Sequence, residues 1–149
     1  MYKTLSTDEQ RFCRFAALAY ITMTFPKAGA GKVTLVPIAG KCADTGAAKQ
    51  MLSDADCIFL SGGEVEDGTV SLKKDGLDIF LTELYNSGKP FFEVSAGCIM
   101  MGSNWVRWDV ENDDSTASLF DCLNFVPMTF DTHCENEDWK ELPAALLCV

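Results

Sequence analysis

Apolar residues along this chain follow two alternating rhythms, one with the period of a helix face and one of short unbroken runs. Phe12, Phe15, Ala16 and Ala19 recur at helical spacing. Ahead of them Ser6-Thr7-Asp8-Glu9-Gln10 offers a capping box, Ser6 with Glu9 or Thr7 with Gln10, so a helix is predicted over 7–20. After Gly29-Ala30-Gly31, the run Val33-Thr34-Leu35-Val36-Pro37-Ile38 is short, rich in β-branched residues and bounded by Gly40, as a buried strand would be. Asp44 or Thr45 then caps a short helix carrying Ala47, Ala48, Met51 and Leu52. The next strand is Asp56-Cys57-Ile58-Phe59-Leu60-Ser61, ended by Gly62-Gly63.

Leu77, Phe80, Leu81 and Leu84 repeat the helical spacing, and Asn86-Ser87-Gly88 followed by Lys89-Pro90 stops that helix. Phe91-Phe92-Glu93-Val94 reads as a strand running directly into a helix that starts at Ser95-Ala96-Gly97-Cys98. Beyond Trp105 the pattern blurs through an acidic stretch at 109–116, recovers as strand-like runs near 118–120 and 128–131, and ends in a predicted helix over 136–147. Strands that are wholly apolar, separated by helices, imply a mostly parallel sheet covered on both faces. The expected class is α/β, a three-layer sandwich in one domain spanning 1–149.

Composition narrows the function. The 149 residues suffice for an ordinary core, burying roughly 70% of the unfolded chain's surface. Net charge is −10, and residues 109–141 hold ten acids against one base, so most of the excess sits near the C-terminus. Nucleic-acid binding by counterion release needs a basic face, and none is present; anionic membranes are excluded as partners on the same ground. Seven cysteines without a CxxC pair read as free thiols in a reducing compartment, not as a secreted disulfide framework. The N-terminus lacks the pattern of a signal peptide, and no apolar run approaches a bilayer span, so a cytoplasmic location is expected.

In an open parallel sheet, sites gather at the carboxyl ends of the strands. Two such ends stand out, Ser61-Gly62-Gly63 and Val94-Ser95-Ala96-Gly97. A Ser on a tight strand-to-helix turn projects its Oγ above the sheet, small neighbours permit the turn, and the helix dipole favours negative charge developing there. A nucleophilic Ser needs a base, and the chain has one His, His133, in Asp131-Thr132-His133 after a strand-like run. Backbone N–H groups of Gly63 and Ala96 are the candidate oxyanion donors. Nothing in the sequence calls for a cofactor or a metal: Cys122, Asp131, His133 and Cys134 lack zinc-ligand spacing, and Cys98 reads as core filler.

The segment Ile58-Phe59-Leu60-Ser61-Gly62-Gly63, then Val94-Ser95-Ala96-Gly97, then His133 ahead of acids and Trp139-Lys140-Glu141-Leu142, resembles the peptidase E and cyanophycinase family of serine peptidases. The resemblance covers 33–142 and implies a flavodoxin-like fold of the class I glutamine amidotransferase-like superfamily, here expected in a version shortened at both ends. It implies Ser95 as nucleophile, His133 as base and then acid, and Gly63 and Ala96 as oxyanion donors. In the family an acid follows the Ser and orients the His; Asp109, Glu111, Asp113 and Asp114 compete for that role, with Asp113 and Asp109 foremost. Gly62, Glu64 and Arg107 are expected to line the substrate, a small peptide or amide. Two positions depart from the pattern: Glu93 stands where the elbow carries Gly, and Glu64 where the family has Asn. The short ends imply a homo-oligomer, and the alternative function is a non-catalytic binding or oligomerising member.

Overall fold

The computed structural model describes residues 24–39, 41, 43–110, 113–132 and 139–148. The helix expected over 7–20 and the histidine at 133 lie outside the described residues. The chain divides into two compact units, Met1–Val36 and Pro37–Val149. In the first, residues 24–27 make a helical turn, with the Ala28 N–H donating to Thr24 O at 3.1 Å. The second carries every element named below.

Helix α1 spans Thr45–Asp54, strand β1 Ile58–Leu60, helix α2 Val65–Lys74, helix α3 Leu77–Asn86 and strand β2 Phe91–Glu93. Helix α4 (Ala96–Met101), strands β3 (Asn104–Trp108) and β4 (Ala117–Asp121), and helix α5 (Glu141–Leu147) follow among the described residues, with a 3-10 turn at Asp114–Thr116. Strands β1 and β2 pair in parallel, Ile58 with Phe91 through Leu60 with Glu93. Strands β3 and β4 form an antiparallel pair, Asn104 with Asp121 through Trp108 with Ala117. Helices and a small parallel sheet make this an α/β protein; among the described residues that sheet has two strands.

Local chemistry explains most of the elements. Asp44 caps α1, its Oδ1 accepting the Ala47 N–H at 3.0 Å. Helix α1 has no basic residue in its last turn, and Lys89, just ahead of β2, supplies the missing cation. Its Nζ donates to Leu52 O at 3.1 Å, Ser53 O at 2.7 Å and Ala55 O. This ties the carboxyl end of α1 to the residues that open β2. Lys89→Met keeps the stem and removes those donors, so it should cost about 1–3 kcal/mol, read as a lower urea midpoint with an unchanged slope.

The core lies between the helices and the strands. Leu77 and Leu81 of α3 are each 1% exposed, joined by Leu72 of α2 and Ile58 of β1. Tyr85, Phe91 and Phe125 interlock, with ring centroids 5.6–5.8 Å apart. A second cluster packs Val106 against Ala144 and Ala145 of α5, covered by Trp108, Ala117 and Leu119.

Three expectations are corrected. Residues 32–38 form no strand: Pro37 withholds one ladder donor, and the run straddles the boundary between the two units. Residues 128–131 are irregular too, tied through the Ser103 N–H to Met128 O at 2.8 Å instead of by a ladder. The last helix starts at Glu141, because Trp139 has φ of 59° and an α-helix cannot run through it.

Candidate active site

Parallel pairing puts the carboxyl ends of β1 and β2 side by side, and the Val94 N–H extends the ladder by one bond to Leu60 O at 3.2 Å. The Gly62-Gly63 turn and Ser95 therefore leave the sheet at the same edge. Ser95 follows β2 by two residues and precedes α4 directly, with φ of 54° and ψ of −125°. A side chain in that region is strained, and the cost is of order 1–3 kcal/mol. The turn is closed from within, with Gly97 N–H donating to Val94 O at 3.0 Å and Cys98 N–H to Ser95 O at 2.9 Å. This is the geometry of a nucleophile elbow.

Two glycines make room for it. A Cβ on Gly62 would sit 3.1 Å from Ser95 Cβ and 3.4 Å from Ser95 Oγ, so the first turn touches the serine side chain only because position 62 has none. Gly97 meets the backbone of Leu60 and Ser61, which lets α4 start flush against β1. Gly63 differs: it needs glycine for its φ of 153° and has open space beside it. Among the described residues no backbone carbonyl accepts the N–H of Gly63 or of Ala96; Gly63 is exposed and Ala96 buried.

The surroundings are acidic and open. Glu93 and Glu64 are exposed on the two strand ends, and Glu64 precedes α2 without capping it through its side chain. Val94 beside the serine is half exposed. Arg107 of β3 is engaged: its Nη1 meets Glu66 Oε1 at 3.2 Å and Oε2 at 3.3 Å, its Nε donates to Ser118 Oγ at 3.3 Å, and its guanidinium lies over Phe120. Asp113 is held in its own turn, where Oδ1 accepts the Ser115 N–H at 3.0 Å and the Ser115 hydroxyl at 2.5 Å. Asp109 is exposed just past the end of β3. Clefts of about 370 and 230 Å³ lie elsewhere, one lined by Ser103, Asn104 and Asp121, the other by Leu119, Leu142 and Leu146.

The thiols near these elements are protonated. Burial pushes Cys98 up, and the Glu93 carboxylate pushes it further; burial also pushes Cys122 up to about 11. Both effects oppose thiolate formation, so neither thiol is set up as a nucleophile. Iodoacetamide at neutral pH should modify the exposed Cys57 well before Cys98 or Cys122, as followed by mass mapping. The sign for stability follows: an unfolded chain loses the Cys122 proton in the ordinary thiol range while the folded chain holds it to about 11, so stability falls as pH rises through that window.

Sequence reasoning missed one part of the site, helix α2. Its buried residues Val65, Thr69 and Leu72 keep a helical spacing, and its charges suit the dipole, with Glu66 and Asp67 in the first turn and Lys73 and Lys74 in the last. That charge order was the available signal.

Among the described residues no helix is long and apolar enough to cross a membrane, and no group of three acidic, Cys or His side chains could hold a metal ion. No match to a curated protein was found. The chain matches peptidase family S51 over residues 20–147, and it belongs to that family.

Proposed function

We propose that this chain is a serine hydrolase cleaving a small peptide or amide, with Ser95 as nucleophile and His133 as general base. The observation that carries the reading is Ser95 at φ of 54°, seated against Gly62 at the shared end of two parallel strands. Membership of a peptidase family supports the same chemistry. The full three-layer arrangement of the superfamily is part of this proposal.

The reaction runs through an acyl-enzyme. Ser95 Oγ adds to the substrate carbonyl carbon as its proton passes to the His133 imidazole, and the carbonyl oxygen takes the negative charge. The N–H groups of Gly63 and Ala96 hold that oxygen; losing one such donor typically costs about 100-fold or more in rate. The imidazolium then protonates the departing nitrogen and the C–N bond breaks. Water adds to the ester with its proton going to His133, and Ser95 leaves with that proton restored.

Asp109 suits the role of orienting acid better than Asp113, whose carboxylate is already occupied by Ser115. Without such an acid the imidazole loses tautomer control. A library of short peptides assayed with wild type and single variants tests the proposal. Ser95→Ala and His133→Ala should each lower kcat/KM by at least about 1000-fold. Asp109→Asn should follow them, while Asp113→Asn should stay close to wild type. Hydrolysis that persists in Ser95→Ala would overturn the reading.

A further inference from the structure

Arg107 lies on a different element from the turn it serves, and its contacts say how it acts. It pairs across the antiparallel ladder with Ser118, whose Oγ accepts its Nε–H at 3.3 Å. Phe120, two residues along β4, lies under the guanidinium at 5.7 Å. These two contacts from β4 aim the fork, and its Nη1 reaches both carboxylate oxygens of Glu66 in the first turn of α2. At the helix end so reached Val65 is buried on one side, and the exposed side is held by less. Glu64 makes no side-chain capping bond, Gly62 and Gly63 are exposed, and nothing lies within 4 Å of where a Gly63 Cβ would be. Gly63 is only three residues from Glu66.

We propose that Arg107 is a positioning residue rather than a substrate ligand: through Glu66 it pins the first turn of α2, and so sets the direction of the Gly63 N–H. The consequence for rate rests on the hydrolase reading above, in which that N–H holds the oxyanion; the clamp itself does not. The pair is open to solvent, with the Arg107 and Glu66 side chains 42% and 50% exposed, so it contributes little to global stability. Catalysis is sensitive to sub-ångström placement of a donor in a way that stability is not. A structural role and a positioning role therefore separate cleanly.

Two measurements on the full-length protein decide the matter. Hydrogen exchange in Arg107→Ala should speed up at the Gly68 amide, whose bond to Glu64 O at 2.9 Å closes the first turn of α2, and leave β2 and α4 unchanged, with Tm within about 2 °C of wild type. In labelling by a fluorophosphonate probe, the maximal inactivation rate should fall several-fold while the half-saturating probe concentration moves less than twofold. The double swap Arg107→Glu with Glu66→Arg, which restores the pair without the aiming contacts from β4, and Arg107→Lys, which keeps the charge but not the guanidinium, should each recover only part of that rate. Unchanged exchange at Gly68, or a rate loss that tracks a fall in Tm, would overturn the clamp. Should wild type take no label at all, the hydrolase reading fails, and the exchange arm still decides whether Arg107 pins the turn.

Discussion

Ser95→Gly is expected to give a protein that is inactive yet more stable than Ser95→Ala by up to about 2 kcal/mol, the relieved strain less the entropy glycine adds. Both variants lack the hydroxyl, so both should lose hydrolysis by several orders of magnitude. They differ only in a Cβ. Elsewhere in a chain glycine costs more backbone entropy than alanine, by roughly 0.5–1 kcal/mol. At φ of 54° and ψ of −125° the order reverses, because alanine keeps the clash that the serine tolerates and glycine removes it. Urea unfolding of the two variants reads the difference directly. A higher midpoint for Ser95→Ala than for Ser95→Gly would mean the elbow stores less strain than the roughly 0.5–1 kcal/mol of entropy glycine adds. The molecule then would have little conformational cost to explain at this position, and the argument that the turn exists to present a hydroxyl would weaken with it.

Gly97→Ala is expected to be among the most damaging single-methyl additions in the protein. The added carbon would overlap Leu60 O and lie 2.9 Å from Leu60 C and 3.2 Å from Ser61 O. All three atoms belong to the backbone, so no rotamer change relieves the clash. Either α4 lifts from β1 or β1 moves away from β2, and both displace Ser95 relative to Gly62. Overpacking in a rigid site costs typically 1–3 kcal/mol, and a backbone-to-backbone clash belongs at or above the top of that range. Against a total stability of roughly 5–15 kcal/mol this is a large share. The expected result is a Tm lowered by 6 °C or more, with probe labelling lost even in the fraction that remains folded. Gly68→Ala is the control: its Cβ would meet the flexible end of Met100, 2.5 Å from Sδ, which can swing aside.

How much of this was legible in the sequence depends on whether a feature was local. The elbow was readable because a strand ending in small residues and passing straight into a helix leaves few backbone options at Ser95. Asp44 as a cap and the Gly88-Lys89-Pro90 stop were readable for the same reason, since each acts within a turn. Helix α2 was not, because its buried face is Val65, Thr69 and Leu72 with Gly68 in between, and a Thr and a Gly look like loop until Met100 is seen to need the space. Strand β3 hid behind Trp105, Arg107 and Trp108, whose inward residue is the single Val106, fully buried against α5. The run 33–38 failed the other way, with strand composition but no ladder, since composition carries no information about a partner. Arg107 read as a substrate-lining residue; the Glu66 that engages it is 41 residues away in sequence.

The central claim is that Ser95 is a reactive serine because of how it is held. Treating the folded protein with a fluorophosphonate and mapping the adduct by mass spectrometry tests this most directly. The account predicts one adduct per chain, on Ser95, absent from urea-denatured protein and from Ser95→Ala. An adduct on another residue, or none on a chain shown to be folded, would contradict it.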